Sequence, residues 1–288
     1  MSYVTRFAPS PTGPLHLGHA FSALTAFDRA RAAGGRFLLR IEDIDRARCK
    51  PEWEAQIFDD LGWLGLAWPR PAMRQSDRLP AYRAAVDRLA AMGLVYPCRC
   101  RRGDIRAALS APQEGADPAI GPDGPVYPGT CRGRTMAGAG PEDALRLNMS
   151  LALQSAGIED ISFVETAPEP PGPATMSAAA MRTGIGDVVL ARRDIGTSYH
   201  VAVVVDDAAQ GITEVVRGAD LFAATFIHVL LQRLLGLPVP GYHHHRLIRD
   251  AAGKRLAKRD DARAIARYRA EGATPADIRA MVGLQPSG

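Results

Sequence analysis

Two histidines, His16 and His19, stand three residues apart in the stretch R-F-A-P-S-P-T-G-P-L-H-L-G-H, residues 6–19. An imidazole can donate a hydrogen bond or take up charge near neutral pH. The apolar run before them, residues 3–8, reads as a buried strand. Pro9, Pro11, Gly13 and Pro14 break that strand into a fixed loop. From Leu17 the residues Ala20, Phe21, Leu24 and Phe27 follow a helical period until Gly34 and Gly35 stop it. Both histidines therefore fall at a helix N-terminus, where free N–H groups and a partial positive charge suit a phosphate. Gly18 lets a flat ligand lie against the backbone. The glycine spacing also matches a P-loop, but the Lys and Ser/Thr of that motif are absent, which argues against it. A plain helix cap is the bland use of the same two rings.

Further chemistry is spread along the chain. Residues 37–41 (F-L-L-R-I) read as a second strand running into Glu42, Asp43 and Asp45. Acids at the C-terminal end of a strand in an open α/β sheet can face the same cleft as the histidines, and one could hold a substrate ammonium. Residues 198–207 (S-Y-H-V-A-V-V-V-D-D) read as an apolar strand that Tyr199 enters, and residues 212–216 as the next, with Arg217 leaving it. An arginine offers a two-pronged fork for a carboxylate. Cys98, Cys100 and Cys131 lie near one another in sequence, whereas Cys49 stands apart as a plain thiol. Three cysteines cannot all pair, and a reducing compartment would keep them as thiols. A metal with four tetrahedral ligands is the better account, and Tyr127, not a histidine, lies between the second and third. His243, His244 and His245 alternate faces on a strand, which makes a poor chelate and favours a structural or surface role.

The elements that must position these groups follow from pattern. Residues 51–64 and 79–92 read as amphipathic helices, residues 144–149 and 161–164 as strands, and residues 220–235 as a long helix ended by Pro238 and Pro240. Residues 110–124, 137–141 and 167–175 are rich in Ala, Gly and Pro and read as loops. Two short helices follow Asp261. Of 288 residues, 47% are hydrophobic and 23% charged, the balance of a soluble globular chain. No uncharged apolar run of about 18 residues is present, and no basic-then-apolar leader, so a cytoplasmic protein without membrane contact is expected. Residues 241–288 hold 10 Lys/Arg against 5 Asp/Glu, leaving 25 against 26 elsewhere. A basic end on a near-neutral body suits a nucleotide or nucleic acid, although a solvated helix would look the same.

The H-L-G-H stretch resembles the signature of class I aminoacyl-tRNA synthetases, and R-F-A-P-S-P-T-G with R-I-E-D-I-D-R (residues 40–46) resembles their glutamate-specific branch. Residues 253–260 (G-K-R-L-A-K-R-D) resemble the K-M-S-K-S loop of that class, with Arg255 for the first lysine and Ala257 for the serine. The resemblance implies a Rossmann-like α/β catalytic domain that binds ATP with Mg2+, through His16, Gly18, His19 and Lys258. His16, His19 and Lys258 would be its catalytic residues, stabilising charge as a carboxylate attacks the α-phosphate. It places Arg6, Phe7, Ala8, Pro9, Ser10, Glu42, Tyr199 and Arg217 around L-glutamate, and leaves Asp43 and Asp45 as capping or scaffold groups. Gln75, Ser76 and Arg78 match a Q-S-x-R segment, part scaffold and part nucleic-acid contact. Cys98, Cys100, Tyr127 and Cys131 resemble the structural zinc site of a shortened branch, the glutamyl-Q tRNA(Asp) synthetases, which modify queuosine in tRNA(Asp). A full glutamyl-tRNA synthetase continues into an anticodon-reading domain, for which no chain is left here. The implied organisation is a monomer with a catalytic domain at 1–96 and 195–245. An inserted zinc-bearing α+β domain occupies 97–194, and the loop with a small helical piece 246–288. A truncated synthetase acting on a tRNA 3′ end and a non-catalytic RNA-binding relic are the alternatives.

Overall fold

Val4–Phe7 form β1, buried along its whole length as a central parallel strand must be. It belongs to a computed structural model that describes residues 2–110, 119–167, 171–249 and 263–285. The Pro/Gly loop leads into α1 (Leu17–Ala32), which ends where Gly34 takes a left-handed φ of 57°. β2 (Arg36–Ile41) lies parallel to β1, with Val4 opposite Arg36 and Phe7 opposite Leu39. α2 (Pro51–Trp63) leads to the short β3 (Met73–Arg74), parallel to β2, then to α3 (Leu79–Ala91) and β4 (Val95–Cys98).

α4 (Arg102–Ser110) precedes a small hairpin of β5 (Ile120–Gly121) and β6 (Gly124–Pro125). Next come β7 (Ala144–Leu147), α5 (Met149–Ser155), β8 (Asp160–Glu165), β9 (Gly172–Ser177), the single turn α6 (Ala178–Ala180) and β10 (Val189–Ala191). β7 pairs antiparallel with both β4 and β10. The chain then forms α7 (Tyr199–Ala209), β11 (Glu214–Gly218), α8 (Phe222–Leu234), β12 (Gly241–His245), α9 (Ile265–Ala270) and α10 (Pro275–Met281). β11, β12 and β8 run parallel, and β9 is antiparallel at the edge. β8 thus joins β12 although it lies within the segment assigned to the insertion. Thr213 ties the two parallel sheets together: its N–H donates to Val4 O at 2.9 Å and its hydroxyl accepts from Val4 N at 2.8 Å. From β1 the chain builds outward to β2, and from β11 the opposite way to β12. Such a reversal opens a crevice at the strands' C-terminal ends.

The α/β, Rossmann-like class is as expected, but local readings needed correction. Residues 198–207 are not a strand: they lie in α7, capped by Ser198, whose hydroxyl accepts from Val201 N. Val201 to Val204 are all buried, so no polar face marks the helical period, and a run buried all round looks like a buried strand. Residues 167–175 are not all loop. β9 begins at Gly172, and Pro173 is tolerated because β9 is an edge strand. The strand expected at 144–149 stops at Leu147, because Asn148 caps α5 by accepting from Leu151 N at 3.1 Å. Part of the 110–124 loop is the β5–β6 hairpin, and a 3-10 turn, Met136–Gly138, begins the loop at 137–141.

One charged residue sits in the middle of this frame. Arg40 of β2 is fully buried, and a guanidinium does not shed its proton. Its Nη1 donates to Asp207 Oδ1 at 2.6 Å and to Gln210 Oε1 at 3.0 Å, and its Nη2 to Glu42 Oε1 at 3.2 Å. Arg6 adds its Nε to Asp207 at 2.9 Å. The adjacent Asp206 accepts from Arg78 Nε at 2.6 Å, Tyr82 OH at 2.7 Å and Gln75 Nε2 at 3.0 Å. Ser76 is held by Asp43 through both its N–H and its hydroxyl. The acids at 206 and 207 therefore bind β1, β2 and α3 to α7. Arg40→Ala leaves these buried carboxylates short of a cation, which costs about 3–5 kcal/mol. The expected readout is a lower urea midpoint with an unchanged denaturant slope.

Candidate active site and metal centre

His16 and His19 do cap α1, but the cap also arms them. His16 Nδ1 accepts from Gly18 N, and His19 Nδ1 accepts from His16 N, both at 3.1 Å. With each Nδ1 an acceptor, a neutral ring carries its proton on Nε2 and can donate there. The rings lie 3.8 Å apart, tilted by 30°. The first turn of α1 holds no acidic side chain, so nothing on it offsets the positive helix end. Gly18 serves a purpose the sequence did not reveal: a Cβ there would sit 3.0 Å from His16 Cε1, so the glycine makes room for the imidazole itself.

Lys258, Arg255 and Ala257 lie outside the described residues. The flanks of their segment both return to α1. Ile248 packs with Phe21 and Leu17, and Ala264 pairs with His16 in an isolated bridge.

The remaining expected residues converge at the strand ends. Glu42 is held by the first loop, its N–H donating to Pro9 O at 3.0 Å. Burial pushes the Glu42 carboxyl above its ordinary range, more than the nearby charges of Arg40 and Arg6 can offset. Arg6 is committed to Asp207. Phe7 is buried in the core, and Ala8, Pro9 and Ser10 form the loop that follows it. Tyr199 sits at the start of α7, within electrostatic reach of Arg217, Glu42, Arg6 and Asp207. Burial raises its phenol, so it stays protonated.

Arg217, 5% exposed, differs from the other buried arginines. Its Nη1 lies 3.1 Å from His228 Nδ1 and its Nε 3.3 Å from His244 Nε2. Its Nη2 donates to Thr225 Oγ1 at 2.6 Å, and weaker contacts of 3.5 Å reach Tyr199 OH and Leu221 O. All are neutral acceptors. No carboxylate of the described residues pairs with Arg217 directly. His200, His228, Thr225 and Glu165 were missed by sequence reading. The available signals were lone histidines in otherwise apolar runs, His200 in Y-H-V-A-V-V-V and His228 in F-I-H-V-L-L.

The three cysteines and the tyrosine come together as expected. The Sγ atoms of Cys98, Cys100 and Cys131 all lie within 4.8 Å of one another, with Cys100 and Cys131 at 3.6 Å. Tyr127 OH is 3.4 Å from both Cys98 Sγ and Cys100 Sγ. Metal–sulfur bonds of about 2.3 Å at tetrahedral angles give edges of roughly 3.8 Å, so the set fits a four-ligand ion. Burial and bonds to the thiols raise the Tyr127 phenol. Burial would also raise Cys131, but bonds from Tyr127 and the Arg99 backbone bring it down to about 7. Cys49 is separate, its Sγ near Glu42 O. No helix among the described residues is long and apolar enough to cross a membrane.

Residues 2–121 and 174–285 match the family described as tRNA synthetases class I (E and Q), catalytic domain. The chain is 66% identical over 284 residues to the glutamyl-Q tRNA(Asp) synthetase of Rhodobacter capsulatus, covering 98% of this chain and 100% of that one. Identity to the Symbiobacterium thermophilum protein of the same name is 43%, over 95% of this chain and 83% of the relative. Among solved structures, a glutamate tRNA ligase from Elizabethkingia meningosepticum in complex with its amino acid superposes with a TM-score of 0.76 at 27% identity. That match covers 98% of this chain but 60% of the ligase. A Mycobacterium tuberculosis methionyl-tRNA synthetase bound by methionyl-adenylate superposes at 0.58 with 12% identity, a likeness of fold alone.

The histidines around Arg217 set an acid limit on stability. Burial first, then the Arg217 charge, lowers His244 to about 4, with Glu165 working the other way. The unfolded chain titrates near 6.5, so between these values it binds more protons than the folded one. Stability therefore falls as pH drops from about 6.5 to about 4. His244→Asn is expected to lose less stability than the parent between pH 7 and pH 5, measured by urea midpoints.

Proposed function

The chain belongs to the glutamyl-Q tRNA(Asp) synthetase family of class I tRNA synthetases, and on that premise we propose that it activates L-glutamate with ATP and transfers it to the queuosine base in the anticodon of tRNA(Asp). The supporting observation is a complementary pair of charges at the strand ends. Arg217 is buried without a directly paired carboxylate among the described residues. Glu42 is mostly buried, with its carboxyl raised. An amino acid brings a carboxylate for Arg217 and an ammonium for Glu42, whose Oε1 is already met by Arg40.

In the first step a glutamate carboxylate oxygen attacks the α-phosphorus of ATP and pyrophosphate leaves. His16 and His19 meet phosphate oxygens through Nε2–H, next to the helix N-terminus and Gly18. Lys258 supplies a cation to the same phosphates, and Mg2+ accompanies the nucleotide. Arg6, Phe7, Ala8, Pro9 and Ser10 form the wall on which Glu42, Tyr199 and Arg217 hold glutamate. In the second step a nucleophile of the queuosine base takes the glutamyl group and AMP leaves. Cys98, Cys100, Tyr127 and Cys131 would hold a zinc ion, whose role would be structural because four protein ligands would leave no open position.

Glutamate-dependent ATP–pyrophosphate exchange, with and without tRNA, tests the reading. Exchange without tRNA is expected, followed by glutamate transfer to queuosine-containing tRNA(Asp). Exchange only with tRNA(Glu) would assign the chain to 3′-end charging, and none in folded, metal-loaded protein would overturn catalysis. His19→Ala is expected to lower exchange about 100-fold, as loss of one preorganised donor does. Purified protein should hold about one zinc per chain by metal analysis. Cys131→Ser should lose the zinc and lower the Tm.

A further inference from the structure

Arg217 stands at the meeting point of two hydrogen-bonded relays, each ending in a carboxylate one or two rings away. The shorter relay is Glu165, bonded to His244 Nδ1, with His244 Nε2 facing Arg217 Nε and Thr225 Oγ1. The longer relay begins on the β5–β6 turn, at Asp123. Its carboxylate oxygens lie 2.9 and 3.1 Å from His200 Nε2. His200 Nδ1 lies 3.0 Å from His228 Nε2, and His228 Nδ1 lies 3.1 Å from Arg217 Nη1. His200 and His228 are 5% and 1% exposed, whereas the Asp123 side chain is 54% exposed.

Only one arrangement of protons satisfies the longer relay with both rings neutral. A carboxylate can only accept, so His200 carries its proton on Nε2. Its Nδ1 then accepts, so His228 carries its proton on Nε2. His228 Nδ1 is left with a lone pair directed at the Arg217 fork. The Asp123 carboxylate at one end and the Arg217 donor at the other thus demand the same tautomers, so the relay is consistent along its whole length. Burial, reinforced by the Arg217 charge, keeps His228 well below its ordinary pKa and hence neutral.

We propose that Asp123, His200 and His228 form a positioning relay for Arg217, through which the hairpin four residues before Tyr127 sets the affinity for glutamate. The proposal rests on the assignment of Arg217 to the glutamate carboxylate. None of the three relay residues touches substrate; each acts through Arg217. The relay holds the guanidinium in place with neutral acceptors, and no carboxylate of the described residues contacts it directly. The fork therefore retains its positive charge for the ligand.

The test is the KM for glutamate and for ATP, with kcat, in the exchange reaction of the full-length, metal-loaded chain. Asp123→Ala is the first variant, because so exposed a side chain can be removed without unfolding the protein. It is expected to raise the glutamate KM about fivefold, because the lost Asp123–His200 bond reaches Arg217 only through two rings and so passes on a fraction of its worth, with kcat and the ATP KM within about twofold. Asp123→Asn keeps a carbonyl acceptor for His200 Nε2–H and is expected to restore the parental KM. His200→Phe, which cuts the relay, is expected to raise the glutamate KM at least as far as Asp123→Ala. Arg217→Ala separates the two levels of inference. If it raises the glutamate KM while Asp123→Ala and His200→Phe do not, the relay is wrong and the pocket stands. If it leaves the glutamate KM unchanged, the pocket assignment falls and the relay with it. A rise in ATP KM as large as that for glutamate in Asp123→Ala would mark a general structural defect and overturn the relay.

Discussion

Arg40 cannot be deprotonated and cannot reach water, so the structure around it has to bring carboxylates to it. That requirement connects parts of the chain more than 160 residues apart. Asp207 comes from α7, Glu42 from the end of β2, and Arg6 from β1 shares Asp207. The neighbouring Asp206 draws in Gln75, Arg78 and Tyr82. The fully or nearly buried charges Arg6, Arg40, Glu42, Asp206 and Asp207, with the partly exposed Arg78, balance three cations against three anions. Burying so many charges is weak evidence for stability but strong evidence for register, because a slip in any element strands an ion. The register fixed here sets the spacing of Glu42, Tyr199 and Arg217.

At α1 the cap observed for the histidine pair is compatible with the role proposed for it. A cap requires ring acceptors for the first N–H groups of the helix, and Nδ1 of each imidazole provides them. The proton of each neutral ring is thereby placed on Nε2. The helix thus orients the two rings that cap it, and Gly18 leaves room for His16 to lie against it.

How much of this could be read from sequence depended on whether a residue's neighbours were near it in the chain. The H-L-G-H stretch, the Cys-x-Cys pair and the strand ending at Glu42 were legible because local periodicity and spacing define them. α7 was not legible: its valines are buried on all sides, and period fails where polarity does not alternate. β9 was obscured by prolines that only an edge strand allows. Asp123, His200, His228 and Glu165 were invisible as a set because they lie on four separate elements. A histidine's role is decided by what its other nitrogen meets, which sequence does not show.

The cleft also shows why residue type alone does not assign an arginine. Arg6, Arg40 and Arg217 are all nearly or fully buried. Arg6 and Arg40 are in direct ion pairs, and a small anion would have to displace a bound carboxylate to reach them. Arg217 is surrounded by imidazoles, a hydroxyl and a carbonyl, which fix its plane without neutralising it. Coulomb attraction falls as the inverse of distance, and each intervening ring moves Glu165 or Asp123 further away. The protein thus meets the hydrogen-bonding demand of a buried guanidinium while leaving its charge demand open. An incoming carboxylate can satisfy that charge demand without breaking any bond that holds the arginine. Placing the anions one or two rings back leaves the Arg217 charge without a contacting carboxylate among the described residues, whereas placing them in contact makes Arg40 part of the frame.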